Sequence, residues 1–263
     1  MARKKGGGGG RQRARQRQQY DELDKYPVMP PHAFARIVRD KQTLNIIYQI
    51  IEPPLTKKEQ EQRDEIMDIF IRSLTANIEE IDSNPEAYVR TAMDKVIKSY
   101  SMKINKKSKS KLFYYLRRDL IGYGKMDVLM NDVNVEDISL DGTNVPIFAY
   151  HRKFESVETT CVWETDEELE SYVIKLAQRC GKHISVAEPL LDATLMDGSR
   201  IVMKLGHEIS TRGSAFCIRR FKDDPFSPAD IVAFRTMSSL MVAYLWIAFQ
   251  NEVPMLFVGG TAS

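Results

Sequence analysis

Cysteine is scarce and scattered: three residues, Cys161, Cys180 and Cys217, with no C-x-x-C pair. An odd number without ligand spacing argues against a disulfide framework or a zinc site and predicts reduced thiols in core or boundary positions. The four histidines, His32, His151, His183 and His207, form no H-E-x-x-H or other ligand pattern. Neither a metal site nor catalytic histidine chemistry is therefore expected. No apolar stretch follows the N-terminal basic residues, as a secretory signal requires. The longest apolar run, Leu240 to Phe249, is half of the ~20 residues that cross a bilayer. Excess charge is missing too. A net +2 over 263 residues does not mark a nucleic-acid or membrane-surface protein. No internal repeat with a period of about 20 to 50 residues is visible. Together these absences describe a soluble, cytoplasmic chain.

What is present is the composition of an ordinary globular protein, 43% hydrophobic and 28% charged, with room for one large domain or two smaller ones. Residues 1–25 form a basic tail, with Arg3, Lys4, Lys5, Arg11, Arg13, Arg15 and Arg17 around a run of five glycines. It has no apolar stripe to bury and is expected to be a disordered, solvated leader. The sharper alternative is a tether to anionic lipid or to an acidic partner.

Residues 26–125 read as a mainly helical region. Thr43 to Ile51 is a strand ended by Pro53 and Pro54. Thr56 and Glu59 then make a capping box, opening a helix with Ile66, Ile69, Phe70 and Leu74 on its apolar face. Asn84 and Pro85 open a second helix that turns Val89, Met93, Val96 and Ile97 inward. A third starts near Lys109 and stops at Gly122 and Gly124. Lys103, Lys106, Lys107, Lys109 and Lys111 read as a solvated helix junction; no regular aromatic interleaving accompanies them to suggest nucleic acid.

Residues 126–222 change to short strands and turns: Val135 to Leu140, the turn Asp141-Gly142, then Val145 to Tyr150. Thr165 and Glu168 cap a helix that buries Leu169, Val173, Ile174 and Leu176 and ends at Gly181. Strands follow at Leu190 to Leu195, Arg200 to Leu205 and Ser214 to Phe221. Residues 223–235 form a turn-rich linker. Residues 236–263 carry a helix, Ser238 to Gln250, with Tyr244, Trp246 and Phe249 expected as core, and an apolar strand, Met255 to Val258. Glu136, Asp137 and Asp141 flank a strand and turn where acids are common; Asp192 and Asp197 suggest no acid–base pair.

The last residues, M-L-F-V-G-G-T-A-S, match the beginning of a phosphate-binding loop, G-x-x-x-x-G-K-[ST] after a buried strand. Gly259 stands at the first glycine, and Gly260, Thr261, Ala262 and Ser263 fill the variable positions. The glycine, lysine and hydroxyl residue that would complete it are not in this sequence. Those residues would close the backbone cradle, reach the outer phosphates and bind magnesium.

G-G-T-A-S after an apolar strand resembles the start of this loop in archaeal secretion ATPases and the related archaellum motor ATPases of the type II/type IV secretion superfamily. Upstream, D-L-I-G-Y-G-K-M-D-V-L-M-N-D (Asp119 to Asp132) and V-E-D-I-S-L-D-G (Val135 to Gly142) are similar to that family's N-terminal domain. So are L-L-D-A-T-L-M-D-G-S-R (Leu190 to Arg200) and S-T-R-G-S-A-F-C-I-R-R-F (Ser210 to Phe221). D-P-F-S-P-A-D-I-V-A-F (Asp224 to Phe234) resembles the interdomain linker. The blocks keep their order over about residues 110 to 263. Met196 departs from the pattern, standing where relatives often have proline, which should loosen a turn.

The resemblance implies an α/β fold: an α+β N-terminal domain preceded by the helical region and followed by the first helix and strand of a RecA-like domain. It implies a hexameric ring at the inner face of the cell membrane, docked on a polytopic membrane platform protein, with ATP and Mg2+ bound in the complete protein and no nucleic acid. Catalytic and magnesium-binding residues would come from the motor part, so no catalytic or metal residue is assigned here, and this stretch alone is not expected to hydrolyse ATP. Its contribution would be phosphate-reaching arginines: Arg200 and Arg219 first, Arg212 and Arg220 as further candidates. Guanidinium forks pair with phosphate oxygens at two points. Strand alternation places Arg219 and Arg220 on opposite faces. The competing reading is a non-catalytic interaction module that binds the same machinery; a RecA-like nucleic-acid motor would share the loop but not the upstream blocks. The blocks do not distinguish archaellum, pilus and secretion machines.

Overall fold

The structure, a computed structural model, describes residues 19–73, 84–221 and 227–258. The chain divides into two units, Met1–Phe221 and Lys222–Ser263. The first opens with strands, not helices: β1 (Tyr20–Met29), β2 (Ala33–Asp40) and β3 (Ile46–Ile51). β1 takes in residues 20–25, which the sequence reading placed in the disordered tail, and β1 and β2 are strands the reading of 26–125 did not name. Among the described residues β1 is an edge strand paired only with β2. It carries Asp21, Glu22, Asp24, Lys25 and Pro27, with register shifts at Glu22/Asp24 and Pro27/Met29. Charge, proline and bulges are what edge strands tolerate, and they hide the strand from a reading of apolar pattern.

Three helices follow: α1 (Lys57–Ser73), α2 (Pro85–Ser99) and α3 (Lys106–Leu120). The capping box of α1 forms in both directions: Glu59 N–H donates to Thr56 Oγ1, and Thr56 N–H donates to Glu59 Oε2 at 2.8 Å. Ser108 donates to the other Glu59 oxygen at 2.7 Å. These bonds, the Thr56 amide first, hold the Glu59 carboxyl down at about 2. Asn84 caps α2 and Asn105 caps α3, so α3 starts three residues before its expected position. Ile66, Phe70, Val89, Met93, Val96, Leu112 and Leu116 form the core of this helical group; Leu74 lies outside the described residues.

The C-terminal end of α3 is held by the helix α5 (Asp166–Arg179). Tyr172 Oη donates to Tyr123 O and Lys175 Nζ to Asp119 O, both at 2.7 Å, and Arg179 donates to the carbonyls of Ile121 and Gly122. Carbonyls left without a partner at a helix end are thus capped by one face of another helix. A side chain at Gly122 would overlap the Asp127 carboxylate and the Arg118 carbonyl, so this turn accepts only glycine.

Between these helices lie α4 (Asp127–Asn131), preceded by a short 3-10 turn, and β4 (Val135–Leu140), β5 (Pro146–His151) and β6 (Glu155–Val162). After α5 come β7 (Leu190–Thr194), β8 (Arg200–Lys204) and β9 (Ala215–Arg219). Among the described residues one nine-stranded sheet results, ordered β1-β2-β3-β6-β5-β4-β9-β8-β7. Every pairing is antiparallel except β3 with β6, which are joined at only two register positions, Ile47–Glu158 and Tyr48–Thr159. The fold is mixed α and β, as expected. On one face of the sheet, Ile37, Tyr48, Ala149, Val157, Ile138, Ile218 and Ile201 are buried with Leu169, Val173 and Leu176 of α5. The other face is left partly open, with Phe148, Val202 and Leu190 exposed.

A buried polar cluster crosses the β3–β6 joint. Tyr26 and Tyr48 both donate to Asp132 Oδ2 at 2.6 Å, and Asn134 N–H donates to Oδ1 at 2.9 Å. His151 Nδ1 accepts from Lys153 N–H at 3.1 Å, which leaves the ring proton on Nε2 to donate to Tyr26 Oη at 2.9 Å. Burial and the neighbouring Asp132 push both phenols far above their ordinary range. Burial pushes the His151 imidazole down, against the opposing pull of Asp132 and Asp24.

The second unit contains α6 (Pro228–Ala233), with a complete Ser227–Asp230 capping box, and α7 (Ser239–Gln250), capped by Ser238. Residues 223–226 of the expected linker lie outside the described residues, and α6 occupies most of the remainder. Tyr244, Trp246 and Phe249, expected as core, are exposed, as are Leu256, Phe257 and Val258. Residues 253–258 have no strand assignment, against expectation. A strand needs a ladder partner, and the described part of this unit offers none.

Replacing Tyr48 by Phe leaves a buried carboxylate one donor short and should cost about 1–3 kcal/mol in urea unfolding. The lowered His151 gives a pH signature. The folded state resists protonation, so the imidazole's contribution is whole above the unfolded value of 6.5 and is lost as pH falls below it. A His151→Asn variant should show a shallower loss of stability between pH 6.5 and the folded pKa.

Candidate functional site

Arg200 begins β8 and Arg219 ends β9, and the ladder sets them directly opposite each other. Both project from the open face, beside exposed Val202 and Cys217. The turn before β8 fixes that position. Gly198 takes a left-handed φ of 84° with Phe221 packed close behind it. Ser199 is buried; its hydroxyl donates to Asp197 Oδ2 at 2.9 Å and accepts Phe221 N–H at 3.0 Å. The D-G-S-R block therefore ties the start of β8 to the end of β9.

Across the next ladder Arg219 faces Asp137 of β4, and its Nε donates to Asp137 Oδ1 at 3.1 Å. The arginine side chain is 72% exposed, so this contact stabilises little against solvent. Arg200 has no hydrogen bond or ion pair among the described residues. Two like charges directly opposite on a sheet repel, and the one carboxylate beside them, Asp137, is paired with Arg219 alone. The arrangement can take an anion: two guanidinium groups, Cβ atoms about 5 Å apart, fit the spread of phosphate oxygens.

The other two arginines are elsewhere. Arg220 points to the opposite side of β9 and donates to the carbonyls of Asp132 and Val135. Arg212 lies in the loop between β8 and β9, its backbone pressed against Gly142. That loop is pinned by His207, which pairs with Asp166 at 3.1 Å while Thr143 donates to the same carboxylate at 2.7 Å. The hydrogen bond to Asp166 pulls His207 upward, and Asp166 is lowered, by Thr143 first and His207 next. The structure thus brings Arg200 and Arg219 together and separates Arg212 and Arg220 from them. Gly259, Gly260, Thr261, Ala262 and Ser263 lie outside the described residues. Asp137, read from sequence as an ordinary strand-flanking acid, is the partner that reasoning missed. It is 82 residues from Arg219, and only sheet pairing reveals the contact.

Phosphate fits the arginine pair. For a metal ion, no cluster of three or more His, Cys, Asp or Glu with suitable placement occurs among the described residues. Cys161, Cys180 and Cys217 are free thiols. No helix among the described residues is long and apolar enough to cross a membrane.

No family model matches the chain. It is similar to an uncharacterized protein of Methanocaldococcus jannaschii, 42% identical over 164 residues, covering 62% of this chain and 65% of the relative. A second uncharacterized protein of that organism is 30% identical over 243 residues, covering 91% of this chain and 43% of the relative. The chain thus spans less than two thirds of the length of either. Among solved structures, the VirB11 ATPase from the Brucella suis type IV secretion system, in complex with sulphate, is similar at a TM-score of 0.38 and 16% identity. That match covers 49% of this chain and 35% of the other.

His207 should titrate above 6.5 in histidine NMR spectra, and Asp166→Asn should return it toward that value. The pair holds the loop fully below pH 6.5 and releases it as pH rises through the folded pKa. A His207 signal unmoved by Asp166→Asn would refute the contact.

Proposed function

We propose that this chain is the N-terminal portion of a hexameric ATPase that powers assembly of a type IV pilus-like filament, an archaellum or a secretion machine at the inner face of the membrane. In this reading the complete protein binds ATP and Mg2+ through a phosphate loop that Gly259 to Ser263 begin, and docks on a polytopic membrane platform protein. Arg200 and Arg219 contact the nucleotide phosphates when the cleft between the N-terminal and motor domains closes. The observation that carries the reading is the pair itself: two arginines set opposite each other on an open sheet face, Arg219 paired with Asp137 and Arg200 without an ion pair among the described residues. The ordered sequence blocks from Asp119 to Ser263 supply the family context. The pair's chemistry would be neutralisation of charge on a transferring phosphoryl group, where a well-placed arginine contributes strongly to rate. Asp137 would hold Arg219 extended until the phosphate replaces it.

Replacing Arg219 by Ala in the complete protein should lower ATP turnover at least about tenfold, with the ring and its melting temperature unchanged. Arg219→Lys should recover only part of the loss, because a single ammonium cannot make the two-point contact. Unchanged turnover by Arg219→Ala in an intact ring would remove the assignment.

A further inference from the structure

The first unit holds a second charged feature, remote in sequence from the arginine pair. A cleft of about 620 Å³ runs between one face of α2, one face of α3 and the turn joining β1 to β2. Four cations line it, Arg90, Lys106, Lys109 and Arg117, against the carboxylates Glu86 and Asp94. Met29, Met93 and Phe113 supply apolar wall, and Arg90 stacks on Phe113 with its guanidinium carbon 4.3 Å from the ring centre. Lys109 is held by Asp94 at 2.6 Å, and Arg117 lies between Glu86 at 3.6 Å and the buried Asp127 at 3.7 Å. Lys106 has no ion pair among the described residues.

The surroundings strengthen the imbalance. From Asn84 to Leu120 there are ten lysines and arginines and three acidic residues, in a chain whose whole net charge is +2. The first turn of α3 has no acid and carries lysines, where the helix dipole disfavours cations. Lys106 and Arg117 stand about 16 Å apart along α3 at ~1.5 Å per residue. Cations strung over that length do not converge on a single phosphate. They suit a chain of negative charges about five residues long in extended form at ~3.3 Å each, whose aliphatic portions rest on the apolar wall.

We propose that this cleft binds an acidic, extended segment of a partner protein. The inference stands on α2, α3 and the turn joining β1 to β2, and does not depend on the ATPase reading. The test is fluorescence anisotropy of fluorescein-labelled hexaglutamate with the full 263-residue chain, alongside labelled hexaglutamine, a labelled oligothymidylate and phosphatidylglycerol vesicles. Hexaglutamate should bind and weaken with added salt. Arg90→Gln/Lys106→Gln should weaken it at least about tenfold at unchanged melting temperature. Should the double variant fail to fold, exposed Lys106→Ala alone should still weaken binding about threefold. Serine at Arg11, Arg13, Arg15 and Arg17 should leave binding unchanged. Equal binding of hexaglutamine, indifference to the cleft variants, or loss on changing the tail would overturn the proposal. So would tighter, cleft-dependent binding of oligothymidylate or vesicles, which would reassign the cleft to nucleic acid or lipid.

Discussion

The carboxylate of Asp132 is the point from which the first unit is organised. The strand group β1–β3 meets the rest of the sheet along a parallel contact two register positions long, too short a ladder to fix an orientation by itself. Tyr26 from β1 and Tyr48 from β3 reach across and donate to one Asp132 oxygen, while His151 at the end of β5 donates to Tyr26. A buried carboxylate is costly without donors and strongly directional with them. The joint is therefore specified by side chains more than by backbone pairing. Loss of one donor leaves the charge partly unmet, and that is why such a cluster is sensitive to single substitutions.

The same residue reaches the candidate site through its backbone. Arg220 donates to the Asp132 carbonyl, which commits that side of β9 to the interior. Strand alternation then sends Arg219 outward, where the ladder sets it opposite Arg200. One arginine is consumed as a structural tie so that its neighbour has a fixed direction. Ser199 acts likewise at the other strand, closing the D-G-S-R turn onto Phe221. The pair is thus held by groups tied to the backbone, while its own side chains stay exposed, Arg219 on an exposed contact to Asp137.

Legibility in the sequence followed the range of the interactions. Caps are local: Thr56 with Glu59, Asn84 with Pro85 and Thr165 with Glu168 each declare a helix within four residues, and all three helices form. Strands with alternating apolar residues, such as Val135–Leu140 and Arg200–Lys204, were equally open. β1 was not, because an edge strand has one paired side and can carry charge and proline. Residues 255–258 erred in the opposite direction: an apolar run signals a buried strand only where a sheet exists to receive it. For the site, the arginines were visible as residues and their pairing was not, since Asp137, Arg200 and Arg219 meet only once β4, β9 and β8 are adjacent.

The open face explains how a pair of solvent-exposed arginines could matter at all. In water, a guanidinium–phosphate contact competes with hydration and salt and contributes little. The same face that carries Arg200 and Arg219 exposes Val202 and Phe148, so any surface that covered it would exclude water from the charges as well. Covering the face would lower the local dielectric and raise the strength of each charged contact severalfold. An uncovered pair would then be nearly inert and a covered one strongly stabilising toward phosphate. Under the proposed role, the coupling of apolar surface to exposed charge would make phosphate contact conditional on closure, with no separate switching element required.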